Sequence, residues 1–161
     1  MARDPLRGAW LARALPSVRV DVFPRLRSTN TFAAAQIESG ALNAPALIAA
    51  SLQTAGRGQH TNTWWSDAGS ACATFVLPAI DGMPIGQVPL RAGLAVALVI
   101  ERLLPRATVQ VKWPNDVLVD GCKIAGLLCR RIRGADLVGI GLNVTTGLRR
   151  APPDVRARAT T

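Results

Sequence analysis

The stretch Lys112-Trp113-Pro114-Asn115-Asp116-Val117-Leu118-Val119-Asp120-Gly121-Cys122-Lys123-Ile124-Ala125-Gly126 dictates more local structure than any other part of the chain. Pro114 cannot donate to a ladder and restricts Trp113, so a strand arriving through 108–111 ends there. Asn115 and Asp116 favour a turn through local side-chain hydrogen bonds. Val117-Leu118-Val119 reads as a short buried strand, and Asp120-Gly121 as a two-residue hairpin loop. That loop sets a register, with Val119 opposite Cys122, Leu118 opposite Lys123 and Asp116 opposite Ala125. Lys123 and Asp116 then share a face as diagonal neighbours, roughly 7 Å apart at Cα. Gly126 lets another group approach the strand closely. Two readings of Lys123 stand side by side: a positioned cation beside a small-molecule pocket, and a surface lysine whose stem lies along an ordinary hairpin.

A chain of 161 residues can close one domain around a core, and with 49% apolar residues it is globular. Its net charge of +9, from 19 basic and 10 acidic residues, suits phosphate-bearing or acidic partners. The basic residues are scattered, clustering only at Arg130-Arg131-Arg133 and Arg149-Arg150, and aromatics are scarce. Nucleic-acid modules pair a basic stripe with exposed aromatics, so an arginine-rich solvated surface is the reading adopted. Cys72, Cys122 and Cys129 show no CxxC spacing, which points to a reducing compartment with buried thiols and to a cytoplasmic location. His60 is the only histidine, so no metal site and no Ser-His-Asp triad is expected. The longest apolar run, 92–100, is too short to span a bilayer. Arg13 interrupts the first apolar stretch and Asp4 precedes it, which argues against a signal peptide.

Leu6, Trp10, Leu11 and Leu15 have helical spacing ended by Pro16, and Val18, Val20 and Val22 alternate as a half-buried strand. Ser28-Thr29-Asn30 precedes an alanine-rich helix that closes near Ser39, with Gly40 as its C′ residue. These three can cap the helix, bind a polar ligand head, or divide the tasks among them. The strand 46–51 feeds Gln53-Thr54-Ala55-Gly56-Arg57-Gly58-Gln59-His60-Thr61-Asn62-Thr63-Trp64-Trp65-Ser66. Two glycines around an arginine expose successive amides beside a forked donor, as an anion requires. The loop matches neither a Walker A sequence nor GxGxxG, and a plain mobile loop is the alternative. Trp64 and Trp65 are either core anchors or a lid over a ring. Segment 71–77 is a further strand. Segment 88–104 is apolar nearly all round and reads as a buried helix stopped by Pro105. Strands 124–133 and 137–142, joined at Gly134-Ala135, follow the hairpin, and Gly139-Ile140-Gly141-Leu142-Asn143 leaves room for close approach at a strand end. Beyond Asn143 periodicity fades into a tail with Pro152-Pro153, Arg156 and Arg158. The pattern is α+β: a mostly antiparallel mixed sheet with helices packed on one face.

In order, Ser28-Thr29-Asn30, Gln53 to Gly58, Trp64, Lys112 to Asp116, Lys123 to Gly126 and Gly139 to Asn143 resemble the catalytic domain of biotin protein ligases. The resemblance covers residues 25–145. It implies a class II aminoacyl-tRNA synthetase-like, biotin–lipoate ligase-like fold, with a domain over 1–146 and an arginine-rich tail over 147–161. It implies a biotin–[biotin carboxyl carrier protein] ligase that uses ATP and biotin, with Mg2+ accompanying ATP. Biotinyl-5′-AMP would form and then acylate a carrier lysine, on the carrier subunit of acetyl-CoA carboxylase. By the same resemblance Lys123 and Arg57 are catalytic. Ser28, Thr29, Asn30, Gln53, Gly56, Arg57, Gly58, Trp64 and Lys123 bind biotin. Lys112, Trp113, Asn115, Asp116 and Asn143 serve the nucleotide, and no protein metal site is implied. The partners it implies exclude DNA and membrane, since no winged-helix segment precedes the domain, and a homodimer is compatible with it.

The family's loop continues Gly-Arg-Gly-Arg-x-Gly-Arg before Trp, whereas this chain has Gln59, Thr61 and Asn62. Fewer charges and less backbone freedom predict a looser hold on the adenylate. The family's domain also extends past the position of Asn143, so apolar surface is expected to be exposed here. A catalytically impaired biotin- or nucleotide-binding remnant is therefore the alternative reading.

Overall fold

A computed structural model describes residues 8–161. Helix α1 (Gly8–Ala14) buries none of its side chains, and Trp10 is 64% exposed, so its helical spacing does not mark a core face. Leu6, read as part of that helix, lies outside the described residues. The alternating valines form β1 (Arg19–Phe23), which pairs in parallel with the apolar β2 (Ala46–Ala50). Between them α2 (Thr29–Glu38) is capped by Ser28, whose Oγ accepts from the Thr31 N–H at 3.3 Å. Gly40 closes it at φ 77°, the left-handed conformation that favours glycine.

Two short strands, β3 (Gly56–Arg57) and β4 (Thr63–Trp64), form a separate hairpin. The remaining elements are β5 (Ser70–Pro78), α3 (Gln87–Leu103), β6 (Val109–Lys112), β7 (Asp116–Val119), β8 (Cys122–Ile132) and β9 (Ala135–Asn143). The main sheet has the order β1-β2-β5-β9-β8-β7-β6, antiparallel everywhere except β1–β2. This is the mostly antiparallel mixed sheet that the pattern predicts.

The predicted hairpin is present, with Asp120 and Gly121 at φ 49° and 79°. Its register is as expected at Val119–Cys122 and Leu118–Lys123, then slips: Val117 faces Ala125, and Asp116 faces Gly126 rather than Ala125. Ile124 is the extra residue of a β-bulge, so Ile124 and Ala125 are both buried on one side. Lys123 and Gly126 are thereby left on the other side. The β8–β9 turn also sits one residue earlier than expected, at Arg133-Gly134, both with positive φ.

The helices divide between the two faces rather than sharing one. Residues on β9 alternate, and Ala135 and Leu137 pack with Ala33, Ala34 and Ile37 of α2. Ile140 and Leu142, of opposite parity, pack against the cluster of Ala97 and Ile100 of α3 with Val117, Ala125 and Leu127. Helix α3 is not buried all round. Only Val88, Gly93, Ala97 and Ile100 are buried, while Leu94, Leu98 and Leu103 are 55%, 50% and 72% exposed. One helix laid on one sheet can bury only the stripe that faces it.

After β9 the chain turns back. A 3-10 turn (Leu148–Arg150) and a helical turn α4 (Pro153–Arg156) return residues 158–160 to the sheet, where Ala159 bridges Lys123 in parallel. The stretch read as a tail is thus ordered against β8. Among the described residues no helix is long and apolar enough to cross a membrane.

Candidate active site

The face of the sheet that carries α2 is cleared by glycine. Gly126 and Gly141 are direct partners across β8 and β9, and a Cβ at Gly141 would collide with the Trp64 ring. A Cβ at Gly126 would lie 3.1 Å from Trp64 Cζ3 and from Lys123 Cε. At Gly139 it would lie 2.8 Å from Asn30 Nδ2. The groups that approach these strands so closely are the protein's own indole and amide. Trp64 thus forms the cover of a two-glycine platform, held there by pairing with Gly56 in the β3–β4 hairpin.

Lys123 lies at the edge of this platform. Its Nζ is 2.7 Å from Asp116 Oδ1 and 5.7 Å from the Trp64 ring centroid. The side chains of the pair are 34% and 22% exposed, so the ammonium is held in place without being sealed from a ligand. The lysine reading that places a cation beside a pocket is the one this geometry supports.

The pocket is a cavity of about 1180 Å³. It is lined by Ser28, Thr29, Asn30, Gln53, Gly56, Arg57, Gly58, Trp64, Lys112, Asn115, Asp116, Lys123 and Asn143. Of the residues singled out in the sequence, Trp113 alone stays outside the lining, 75% exposed next to Pro114. Ser28 Oγ caps the helix, while Thr29 gives its N–H and hydroxyl to Gln53 Oε1 at 2.7 and 3.1 Å and accepts from the Thr74 hydroxyl at 2.9 Å. Asn30 Nδ2 donates to the Leu128 carbonyl at 3.0 Å. Its Oδ1 is buried with no hydrogen-bond partner among the described residues, an acceptor whose desolvation is uncompensated until a donor arrives. Gln53 is fixed through its main chain by Ser66 Oγ, at 3.1 and 2.9 Å.

Asn115 Nδ2 donates to Leu127 O, and Asn143 Nδ2 donates to Thr160 O. Each side-chain amide is therefore oriented by a backbone carbonyl. The loop 58–62 closes on itself through Gly58 N–H to Asn62 O and Asn62 N–H to Gln59 O, and its left-handed residue is His60 at φ 55°. Thr61 needs no positive φ, so the absence of glycine there is accommodated.

Among the described residues five cations line the cavity: Arg57, Lys112, Lys123, Arg150 and Arg158. Three of them are paired to acids of the same lining, Lys123 with Asp116, Arg150 with Asp67 at 2.8 Å and Arg158 with Asp154 at 3.2 Å. Both arginine pairs involve guanidinium groups more than 70% exposed, and such pairs exchange easily for a stronger anion. Sequence reasoning did not assign Arg150 and Arg158 to the site. They lie in the stretch without periodicity, and nothing local marks which arginine returns to the cavity. Cys72 is wholly buried, and burial pushes its thiol up to about 11, partly offset by the neighbouring polar side chains of Ser66, Trp64 and Gln53.

A glycine platform, an arginine-bearing hairpin and a lysine–aspartate pair surround one cavity, an arrangement that suits an anionic small molecule. The biotin/lipoate A/B protein ligase family model matches residues 22–146. The chain belongs to that family. It is 36% identical over 141 residues to the biotin–[acetyl-CoA-carboxylase] ligase of Mycobacterium tuberculosis, covering 84% of this chain and 53% of that protein. The structure superposes on the biotin protein ligase of Aquifex aeolicus in complex with biotin and ATP with a TM-score of 0.75 at 29% identity. That match covers 89% of this chain and 59% of the other. The biotin acetyl coenzyme A carboxylase synthetase of Helicobacter pylori, with bound biotinylated ATP, gives 0.74 at 27% identity, covering 81% and 63%. The chain spans about half the length of its mycobacterial relative and under two thirds of these solved neighbours. Its fold is that of the biotin and lipoate ligases.

Proposed function

We propose that this chain activates biotin with ATP and transfers it to a lysine of a carrier protein. The observation that carries the proposal is the Lys123–Asp116 pair, standing in the same cavity as the orphaned Asn30 acceptor and the Gly56-Arg57-Gly58 segment. The ureido head of biotin offers N–H donors to Asn30 Oδ1 and a carbonyl to neighbouring hydroxyl and amide donors, including Ser28 and the Gln53 amide. Thr29 holds Gln53 in place. Trp64 and the platform of Gly126 and Gly141 enclose the rings and chain between.

The carboxylate then lies toward Lys123. In the first step its oxygen attacks the α-phosphorus of ATP, the bond to the β-phosphate breaks, and pyrophosphate leaves. Two anions must approach each other, so Lys123 and Arg57 act by offsetting repulsion and by stabilising charge that grows on the phosphoryl oxygens. Asp116 orients the ammonium. Lys112 faces the phosphates, Asn115 and Asn143 shape the nucleotide side, and Trp113 meets the nucleotide from the rim. Mg2+ enters with ATP as part of that substrate. In the second step a carrier lysine amine attacks the acyl carbon, AMP leaves, and the amine loses a proton. The acceptor in this reading is a biotin carboxyl carrier domain.

The loop at 58–62 supplies no arginine, and Arg150 and Arg158 line the same cavity as Arg57. A binding remnant remains the second reading. Incubation with biotin, ATP and a carrier domain decides between them. Biotin- and ATP-dependent labelling that is lost in Lys123→Ala supports the ligase. Binding of biotin by calorimetry with no pyrophosphate release supports the remnant.

A further inference from the structure

We propose that residues 158–160 form a main-chain clamp that positions Lys123, with Thr160 and Asn143 as positioning residues; this rests on the ligase reading above. The Lys123 N–H donates to Arg158 O at 2.7 Å, and the Thr160 N–H donates to Lys123 O at 2.9 Å. These two bonds flank the parallel bridge between Lys123 and Ala159. Asn143, buried to 4% exposure, ties the clamp to the end of β9 by donating from Nδ2 to Thr160 O at 3.0 Å.

The clamp fills a gap that the sheet itself leaves. The last β8–β9 pair on this side is Ala125–Leu142, so neither the bulged Ile124 nor Lys123 has a β9 partner. On its other side Lys123 is opposite Leu118, two residues from the turn at Asp120-Gly121. Without residues 158–160 the lysine would stand on an unpaired edge, between a bulge and a turn. A four-carbon stem on so loose a backbone cannot keep its ammonium in one place. With them, both main-chain groups of Lys123 are bonded, and Nζ is held 2.7 Å from Asp116. The returning segment is itself anchored by the buried Ala151. Because the clamp holds Lys123 through main-chain atoms, it asks only that residue 160 carry an N–H and that residue 143 offer an amide donor.

Thr160→Pro removes that donor, and Thr160→Val keeps it. Kinetics of biotin-dependent pyrophosphate release test the difference, with thermal melts to follow folding. The expected result is a kcat lowered between about tenfold and a hundredfold in Thr160→Pro, as for a misplaced catalytic group, and restored in Thr160→Val. Asn143→Ala, which frees Thr160 O, is expected to show a smaller loss of kcat and covers the case in which the proline variant does not fold. Equal kcat in the proline and valine variants would overturn the clamp. If the wild-type chain releases no pyrophosphate, the ligase reading fails and amide hydrogen exchange at Lys123 decides the clamp alone. Faster exchange in Thr160→Pro, or in Asn143→Ala, upholds it, and unchanged exchange overturns it.

Discussion

Lys123 owes its orientation to neighbours on every side: the Asp116 carboxylate, the Trp64 ring and the backbone of 158–160. Asp116→Asn removes the charge partner but keeps a similar shape. The ammonium is then less well oriented, and pyrophosphate release is expected to fall by about tenfold, within the range seen when a positioned group is misaligned. Steady-state kinetics with saturating ATP checks this, and an unchanged kcat would remove Asp116 from the mechanism. Gly141→Ala tests the platform. Its methyl group would meet the indole of Trp64, which must move, at a stability cost of about 1–3 kcal/mol. Biotin affinity by calorimetry is expected to fall more than tenfold, the change of about 1.4 kcal/mol that corresponds to one decade. The pairing of Lys123 with Asp116 was readable because a two-residue turn sets a register. The slip at Ile124 was not, since a bulge depends on what packs below it, and here both Ile124 and Ala125 are drawn into the layer under α3.

At the scale of elements, α3 shows how far apolar composition can mislead. Its sequence suits burial on all sides, yet the described residues cover one stripe. Beside the uncovered side runs an apolar groove of about 550 Å³ that includes Leu77, Ile80, Val99 and Leu103. Ile100→Ala, at 4% exposure, is expected to cost about 2–4 kcal/mol through lost burial and a residual cavity. Leu98→Ala, at 50% exposure, is expected to cost less than about 1 kcal/mol. Urea denaturation of the two variants measures the contrast, and equal losses would mean that the outer stripe is covered in solution. Elements with strict alternation or strong punctuation, such as β1, α2 and the β7–β8 hairpin, were legible from sequence. The returning segment was not, because its ordering comes from backbone partners more than thirty residues away.

For the molecule as a whole, one buried and one half-buried thiol set a pH limit. The thiols of Cys72 and Cys129 are raised from 9.0 to about 11 and about 12, both chiefly by burial, with Asp136 adding to the second. The unfolded chain releases these protons above pH 9, whereas the folded chain keeps them. Stability is therefore unaffected by these groups below pH 9 and falls as pH rises from 9 towards 11 and 12. The slope approaches about 1.4 kcal/mol per pH unit for each thiol. Denaturation midpoints measured from pH 7 to 11 should show this decline, and Cys129→Val should make it shallower. A slope unchanged by that substitution would assign the alkaline loss to other groups.

The bonding of Lys123 to residues 158–160 also has a temporal side. A ribosome delivers Lys123 well before Thr160, so the hairpin can form while the strand's outer edge is still bare. Under the clamp, a nascent chain would acquire its ordered lysine only once residue 160 has left the exit tunnel. Adenylation would then begin after the rest of the described fold has assembled, rather than on a half-made domain.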